Sequence, residues 1–254
     1  MPDTILVDKK DDATALVTLN RPDSLNSVDL ATGNFLGRIL TELAQDTSVN
    51  AIVITGAGER AFSSGYDIDE LVTMDADAML VAFALRDPLL WQFTNHPKPI
   101  IAAIRGIAYG VGALFAAGSD LRIGGPSTTF KVTATKYGSA NATWSLPPLI
   151  GVPKTKELLM TGRSMGAQEM LEVGLLNKLV PDGEVVEASL EIARAIAKNP
   201  SVGVQCVKRL VNGMVGRTLE DGFRAENSAM TGELRHKSGP EIFGEFMAKR
   251  RRTA

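Results

Sequence analysis

The chain has 254 residues, 44% of them apolar and 22% charged, with a formal net charge of −2 at neutral pH. That length buries a sizeable core in one large domain or two modest ones, and the charge balance gives no electrostatic basis for nucleic-acid binding. Cys206 is the sole cysteine, which excludes an intrachain disulfide and suits a reducing compartment. The opening "MPDTILVDKKDD" is mixed and charged rather than an apolar leader, and no apolar run reaches the ~18 residues of a membrane span. A cytoplasmic protein with no membrane span is expected.

In chain order, "TILVDKKDDATALVTL" predicts a hairpin whose apolar runs, 5–7 and 15–19, flank a Lys/Asp turn. After "NRPDSLNS", Leu36, Ile39, Leu40 and Leu43 recur at helical spacing. "AIVITGAG" is a short apolar run stopped by glycines, the pattern of a buried strand. A second helix is predicted over 76–94, ended by Pro97 and Pro99, and "PIIAAIRG" is another buried strand. Alternating strands and helices predict an α/β core. From 153 onward the signals are mostly helical, through "TKELLMTG", "AQEMLEVG" and "EVVEASLEIARAIAKN". No low-complexity linker and no fixed-period repeat interrupts the chain.

Several familiar signatures fail. Gly110-x-Gly112 would need glycine at Phe115 to make a dinucleotide fingerprint, and Gly56-x-Gly58 fails likewise at Ala61. With His96 and His236 far apart and one cysteine, no metal site is expected. "GRSMG", 162–166, does match the nucleophile elbow of serine hydrolases, with Ser164 as nucleophile and His236 downstream. That elbow needs a strand before the serine, and "TKELLM" has helical composition. Ser164 is therefore expected to be a loop residue capping "GAQEML", with a serine hydrolase as the outside alternative.

Two glycine-bearing loops remain, "GERAFSSGYDIDEL" and "GIAYGVGALFAAGSD". Each places glycine directly before a predicted helix start, and either alone is an ordinary tight turn. Together they offer two backbone N–H groups, from Tyr66 and Val111, which can hold one carbonyl oxygen and stabilise an oxyanion.

At these residues the chain resembles the enoyl-CoA hydratase/isomerase, or crotonase, superfamily. "LNRPDSLNS" is similar to its early loop, "GERAFSSGYDIDEL" to its first oxyanion segment, and "PKPIIAAIRGIAYGVGALFAAGSDLRI" to its second. "LMTGRSMGAQEMLEVGLLNKLV" is similar to the helical stretch that follows, which makes "GRSMG" a family loop. The resemblance implies an α/β fold, a ββα spiral core over 1–198 that binds acyl-CoA. A helical region over 199–254 would assemble a homotrimer or hexamer. It implies no cofactor beyond the coenzyme A carried by the substrate. The oxyanion donors would be Tyr66 and Val111, and the CoA moiety would lie along Ser24, Leu25, Tyr66, Asp67, Ile68, Asp69 and Gly110. The basic run at 249–252 would be either a partner for a CoA phosphate or a solvated tail.

The pattern breaks at the acids. Family hydratases add water with two glutamates, and the matching positions here are Leu114 and Ala134. A third acidic position, used by some isomerases, falls at Ala142, and no Asp or Glu occurs between Leu121 and Lys156. Lys136, Tyr137, Asn141 and Trp144 are the polar or aromatic candidates for the pocket, and Asp67 is expected to cap its helix. Three functions fit: an enolate-forming acyl-CoA enzyme that needs no carboxylate base, such as a decarboxylase; a non-catalytic acyl-CoA-binding protein; and a weak hydratase with a substitute group.

Overall fold

The computed structural model describes residues 4–234, 238–241, 243, 244, 247 and 250. Two compact units divide the chain, Met1–Val204 and Gln205–Ala254, and the division falls within the helix Ser201–Asn212.

The first unit opens with the expected antiparallel hairpin, β1 (Ile5–Lys9) and β2 (Thr14–Leu19). Helix α1 (Leu30–Gln45) is capped by Asp29, which accepts from the Thr32 N–H at 2.7 Å, and buries Leu36, Ile39, Leu40 and Leu43. Three strand pairs follow. The first is β3 (Ala51–Gly56) and β4 (Ala61–Ser63), continued by helices α2 (Ile68–Leu71) and α3 (Ala76–Asn95). The second is β5 (Ile100–Ile104) and β6 (Ile107–Tyr109), leading into α4 (Val111–Gly118). The third is β7 (Leu121–Gly124) and β8 (Thr129–Lys131). After these come α5 (Pro147–Ile150), α6 (Val152–Thr161), β9 (Met165–Gly166), α7 (Ala167–Glu172), β10 (Lys178–Leu179) and α8 (Val185–Ala197).

Each pair gives one strand to each of two sheets, ordered β1-β2-β3-β5-β7-β10 and β4-β6-β8-β9. Within the spiral the neighbours are parallel in both sheets, which requires a crossover connection between successive strands of each sheet. Both faces of the larger sheet are covered. Ala51, Val53, Ile101, Ala103 and Ile123 pack with Val185, Ala188, Leu190 and Ala193 of α8. The intervening Ile52, Ile54, Ile100, Ala102 and Ile104 join Leu36, Leu40 and Phe93 in the main core. Burial on both sides is why these strands read as continuous apolar runs rather than as alternating ones.

Periodicity treats 58–71 and 106–112 as loops, and each contains a three-residue strand of the smaller sheet, β4 or β6. Three residues are too few to show an alternation. Helix α3 runs straight through Pro88, which the prediction of its end at Pro97 and Pro99 passes over. Pro88 has no N–H to give the carbonyl four residues earlier, so the regular ladder is interrupted there.

In the second unit, α10 (numbering Ser201–Asn212 as α9) spans Leu219–Thr231 and starts with a reciprocal capping box between Thr218 and Asp221. Val207, Val211, Leu219 and Phe223 are all exposed. Among the described residues, no helix is long and apolar enough to cross a membrane.

Candidate active site

The early loop is shaped by two consecutive left-handed residues, Leu25 and Asn26, each with φ of 54°. Such a conformation is uncommon for a branched side chain and persists only where neighbours enforce it. Asn26 supplies the enforcement. Its buried amide accepts from the Arg21 N–H at 3.0 Å and donates to the carbonyls of Ala57 at 3.0 Å and Ala61 at 2.8 Å. The loop is thereby held against residues 64–67. Ser64 N–H donates to the Leu25 carbonyl at 2.9 Å, Ser64 Oγ lies 3.3 Å from the Ser24 carbonyl, and Val28 N–H donates to the Gly65 carbonyl at 2.8 Å.

Asp67 caps α2, accepting from the Asp69 N–H at 3.2 Å. It also takes an Arg21 Nη2–H at 2.7 Å and the Ser27 hydroxyl at 3.2 Å. Burial pushes its carboxyl up, but the Arg21 hydrogen bond and charge outweigh that and hold it below the ordinary aspartate value. Ile68 and Asp69 lie on the exposed side of the same turn.

The second glycine loop meets the first at Gly65 and Gly110. Gly65 has φ of 113°, and Gly110 has φ of 52° with ψ of −124°, a conformation that glycine alone adopts readily. A Cβ on Gly110 would stand 3.3 Å from Gly65 Cα, and one on Gly65 would stand 3.6 Å from Val111 N. The same crossing recurs two residues on, where a Cβ on Gly112 would lie 2.6 Å from Ser63 Cβ. The glycine pair that opens "GVGALFAAG" therefore packs one loop backbone directly on the other.

This contact brings the Tyr66 and Val111 amides into neighbouring positions. Among the described residues, neither N–H donates to any acceptor. Val111 is the first residue of α4, whose Gly110 cap offers no side-chain acceptor, so the positive end of the helix is open there. Tyr66 differs from expectation. It is bridged to Val28 and stands before the α2 cap rather than at a helix start, so only the second amide carries a helix terminus.

The far end of α4 is anchored by Arg122. Its buried guanidinium donates to the carbonyls of Ser119 at 2.6 Å, Ala116 at 3.2 Å and Leu175 at 2.6 Å. Burial lowers its pKa to about 10, which leaves it charged at neutral pH.

One turn beyond Val111, Leu114 lines a cavity of about 370 Å³. Its other walls are Arg86, Asp87, Leu90 and Trp91 of α3 and the segment 140–145. Asn141, Ala142 and Trp144 are thus in the wall, with the Trp144 ring 5.8 Å from that of Trp91. Ala134 belongs to the same buried apolar cluster as Leu114 and Ala142 but does not line the cavity. Lys136 and Tyr137 are outside it. The Lys136 stem packs over Gly162, and Tyr137 is 79% exposed. A groove of about 390 Å³ between α1 and α3, along Gly37 and Pro88, contains none of the predicted site residues.

Ser164 follows helix α6 rather than a strand, so the elbow geometry is missing. Nor does it cap α7, contrary to expectation. That cap is Gly166 with no side-chain bond, and Ser164 Oγ instead lies 3.5 Å from the Tyr109 hydroxyl. His236, Lys249, Arg251 and Arg252 lie outside the described residues.

The pocket's charged pair, Arg86 and Asp87, and the loop clamps Arg21 and Asn26 are absent from the sequence-predicted set. The signal for the first pair was an Arg-Asp-Pro triplet interrupting the apolar "AMLVAFAL…LLWQF" run.

Two sheets that share successive strand pairs of one spiral, with the glycine loops crossing just past the ends of β4 and β6, constitute the crotonase fold. The enoyl-CoA hydratase/isomerase family model matches residues 9–252. The chain belongs to the enoyl-CoA hydratase/isomerase family. The short-chain-enoyl-CoA hydratase of Clostridium acetobutylicum is 29% identical, over 96% of this chain and 94% of its own. The 1,2-epoxyphenylacetyl-CoA isomerase of Escherichia coli is also 29% identical, over 92% of each chain. Among solved structures, an enoyl-CoA hydratase from Bacillus anthracis superposes with a TM-score of 0.92 at 33% identity, covering 97% of this chain and 96% of that one.

Proposed function

We propose that this chain binds an acyl-CoA thioester with the carbonyl oxygen between the Tyr66 and Val111 N–H groups and stabilises the enolate that forms there. The observation that carries this is the Gly65–Gly110 contact, which sets two unengaged donors side by side, one at a helix N-terminus. Donors aimed at a developing oxyanion contribute ~10²–10³ in rate. The loop holding Ser24 and Leu25 against residues 64–67 gives the CoA moiety a wall to follow. Members of the family with full-length matches act on CoA thioesters through different reactions, a hydration and an isomerisation, by their names.

Water addition with paired glutamates is not what this site supports. Leu114, Ala134 and Ala142 stand at the acid positions, and none exchanges a proton. Positioned acid–base groups ordinarily supply ~10²–10⁴ in rate. The same apolar residues favour a second function, a non-catalytic acyl-CoA-binding protein that holds its thioester unreacted. We assign the helices of 199–254 to self-association as a trimer or hexamer, because their Val207, Val211, Leu219 and Phe223 side chains are exposed.

Val111→Pro tests the proposed donor pair. Proline is well tolerated at the first position of a helix, yet it removes the N–H outright. Loss of one net hydrogen bond, about 0.5–1.5 kcal/mol, should weaken butyryl-CoA binding roughly two- to tenfold. Unchanged affinity in a variant that melts like wild type would show that Val111 is not a donor.

A further inference from the structure

We propose that Asp87 is the catalytic proton carrier of this site, supplied from α3 in place of the acids missing from α4 and the 130–142 segment. The inference rests on the thioester oxygen sitting at Tyr66 and Val111. From there, the acyl chain passes Leu114, one helical turn along the same face of α4, into the cavity of about 370 Å³. Among the described residues, Asp87 is the only carboxylate lining that cavity. The other side chains around it, Leu90, Trp91, Leu114, Asn141 and Trp144, neither take nor give a proton at neutral pH.

The setting of Asp87 is unusual for a surface aspartate. Adjacent helical residues ordinarily diverge and do not pair. Here Arg86 Nε and Nη2 both donate to Asp87 Oδ1, at 3.1 and 2.9 Å, in the turn where Pro88 interrupts the helix ladder. The arginine is itself fixed. Its side chain is 14% exposed, and its guanidinium lies 4.9 Å from the Phe83 ring centroid and 5.9 Å from that of Tyr66. Arg86 thus ties the carboxylate to the residue whose N–H is one of the two proposed donors. The second oxygen, Oδ2, accepts no hydrogen bond among the described residues, and the Asp87 side chain is 67% exposed. One oxygen is held and the other is available.

The step balances without a co-reactant. The Cα–H bond of the bound acyl group breaks and its proton forms an O–H bond with Asp87 Oδ2. The C–H electron pair moves into the Cα–carbonyl bond, and the carbonyl π pair moves onto the thioester oxygen, where the two N–H groups receive it. Return of the proton to Cα restores the thioester; in a substrate with a β,γ double bond, abstraction from Cα followed by donation to Cγ moves that bond to the α,β position. A single carboxylate suffices for this proton transfer. Adding water across a double bond asks for a proton to be taken from water and another delivered to carbon, which suits two groups.

The test is exchange of the α-protons of butyryl-CoA in deuterium oxide, followed by NMR, with binding of the same ligand measured by calorimetry. Wild type is expected to bind and to exchange. Asp87→Asn, nearly isosteric and at an exposed position, is expected to keep its melting temperature and its butyryl-CoA affinity while exchange falls by ~10² or more. Asp87→Glu should recover part of the rate, which a merely structural role would not produce. If wild type binds but does not exchange, or if Asp87→Asn exchanges at the wild-type rate, Asp87 is not the carrier, and the donor pair is unaffected by that result. If wild type does not bind butyryl-CoA at all, the donor pair and the role of Asp87 fall together.

Discussion

Gly112→Ala perturbs the loop crossing at its tightest point. The added Cβ would stand 2.6 Å from both Ser63 Cβ and the Ser63 carbonyl oxygen. Favourable carbon contacts begin near 3.5 Å, so the two backbones must separate by about 1 Å. Ser63 lies just before the Gly65–Tyr66 segment, and Gly112 follows Val111 directly, so the same separation parts the two amides. Overpacking of this kind costs about 1–3 kcal/mol. At roughly 2–4 °C per kcal/mol for a chain of this size, the melting temperature should drop by about 2–12 °C. Two donors moved ~1 Å apart no longer both reach one oxygen at the ~2.9 Å of a good hydrogen bond. Butyryl-CoA affinity should therefore fall roughly two- to tenfold, the loss of one net bond. Thermal melting and calorimetric titration read both effects. Gly183→Ala, where a Cβ meets nothing within 4 Å, is the control and should change neither. Wild-type melting and affinity in Gly112→Ala would refute the claim that this close approach sets the donor pair.

Asp67→Asn should lower stability at neutral pH by on the order of 1 kcal/mol. Because Arg21 holds the Asp67 carboxyl below its ordinary 3.8, its contribution is present above that pH and is lost as pH falls through the lower folded value. Denaturant melts near pH 7 and near pH 3 should show the gap closing, and a gap independent of pH would contradict the ion pair. Ser164→Ala should leave butyryl-CoA affinity and α-proton exchange intact, whereas labelling of Ser164 by a fluorophosphonate would revive a hydrolase. Light scattering at micromolar concentration should show a trimer or hexamer, and a monodisperse monomer would count against the role assigned to 199–254.

Much of this architecture is legible in the sequence because it is written locally. The apolar runs of β3 and β5, the 3.6-residue spacing of α1 and the glycines at 65 and 110 each carry their own signal. The clamps are not local. Asn26 reaches Ala61 across 35 positions, and Arg21 reaches Asp67 across 46. Neither residue type announces such a partner in a linear reading. Asp87 is hidden for a related reason: the acids are sought along α4 and the 130–142 segment, while the carboxylate at the cavity comes from α3. Ser164 shows the opposite error: its five-residue motif suggests a nucleophile that no strand supports, and the helical composition around it suggests a cap that the backbone gives to Gly166.

The most direct measurement is the behaviour of the unmodified protein toward crotonyl-CoA, with binding and hydration followed on the same sample. A site with two backbone donors, one carboxylate from α3 and apolar residues at 114, 134 and 142 should bind the thioester. It should hydrate it at ~0.1 s⁻¹ or less, at least ~10² below the usual enzyme median of ~10 s⁻¹. Binding with turnover near ~10 s⁻¹ would mean that a second proton-transfer group completes the site, and no binding would mean that the Tyr66 and Val111 amides do not hold a thioester.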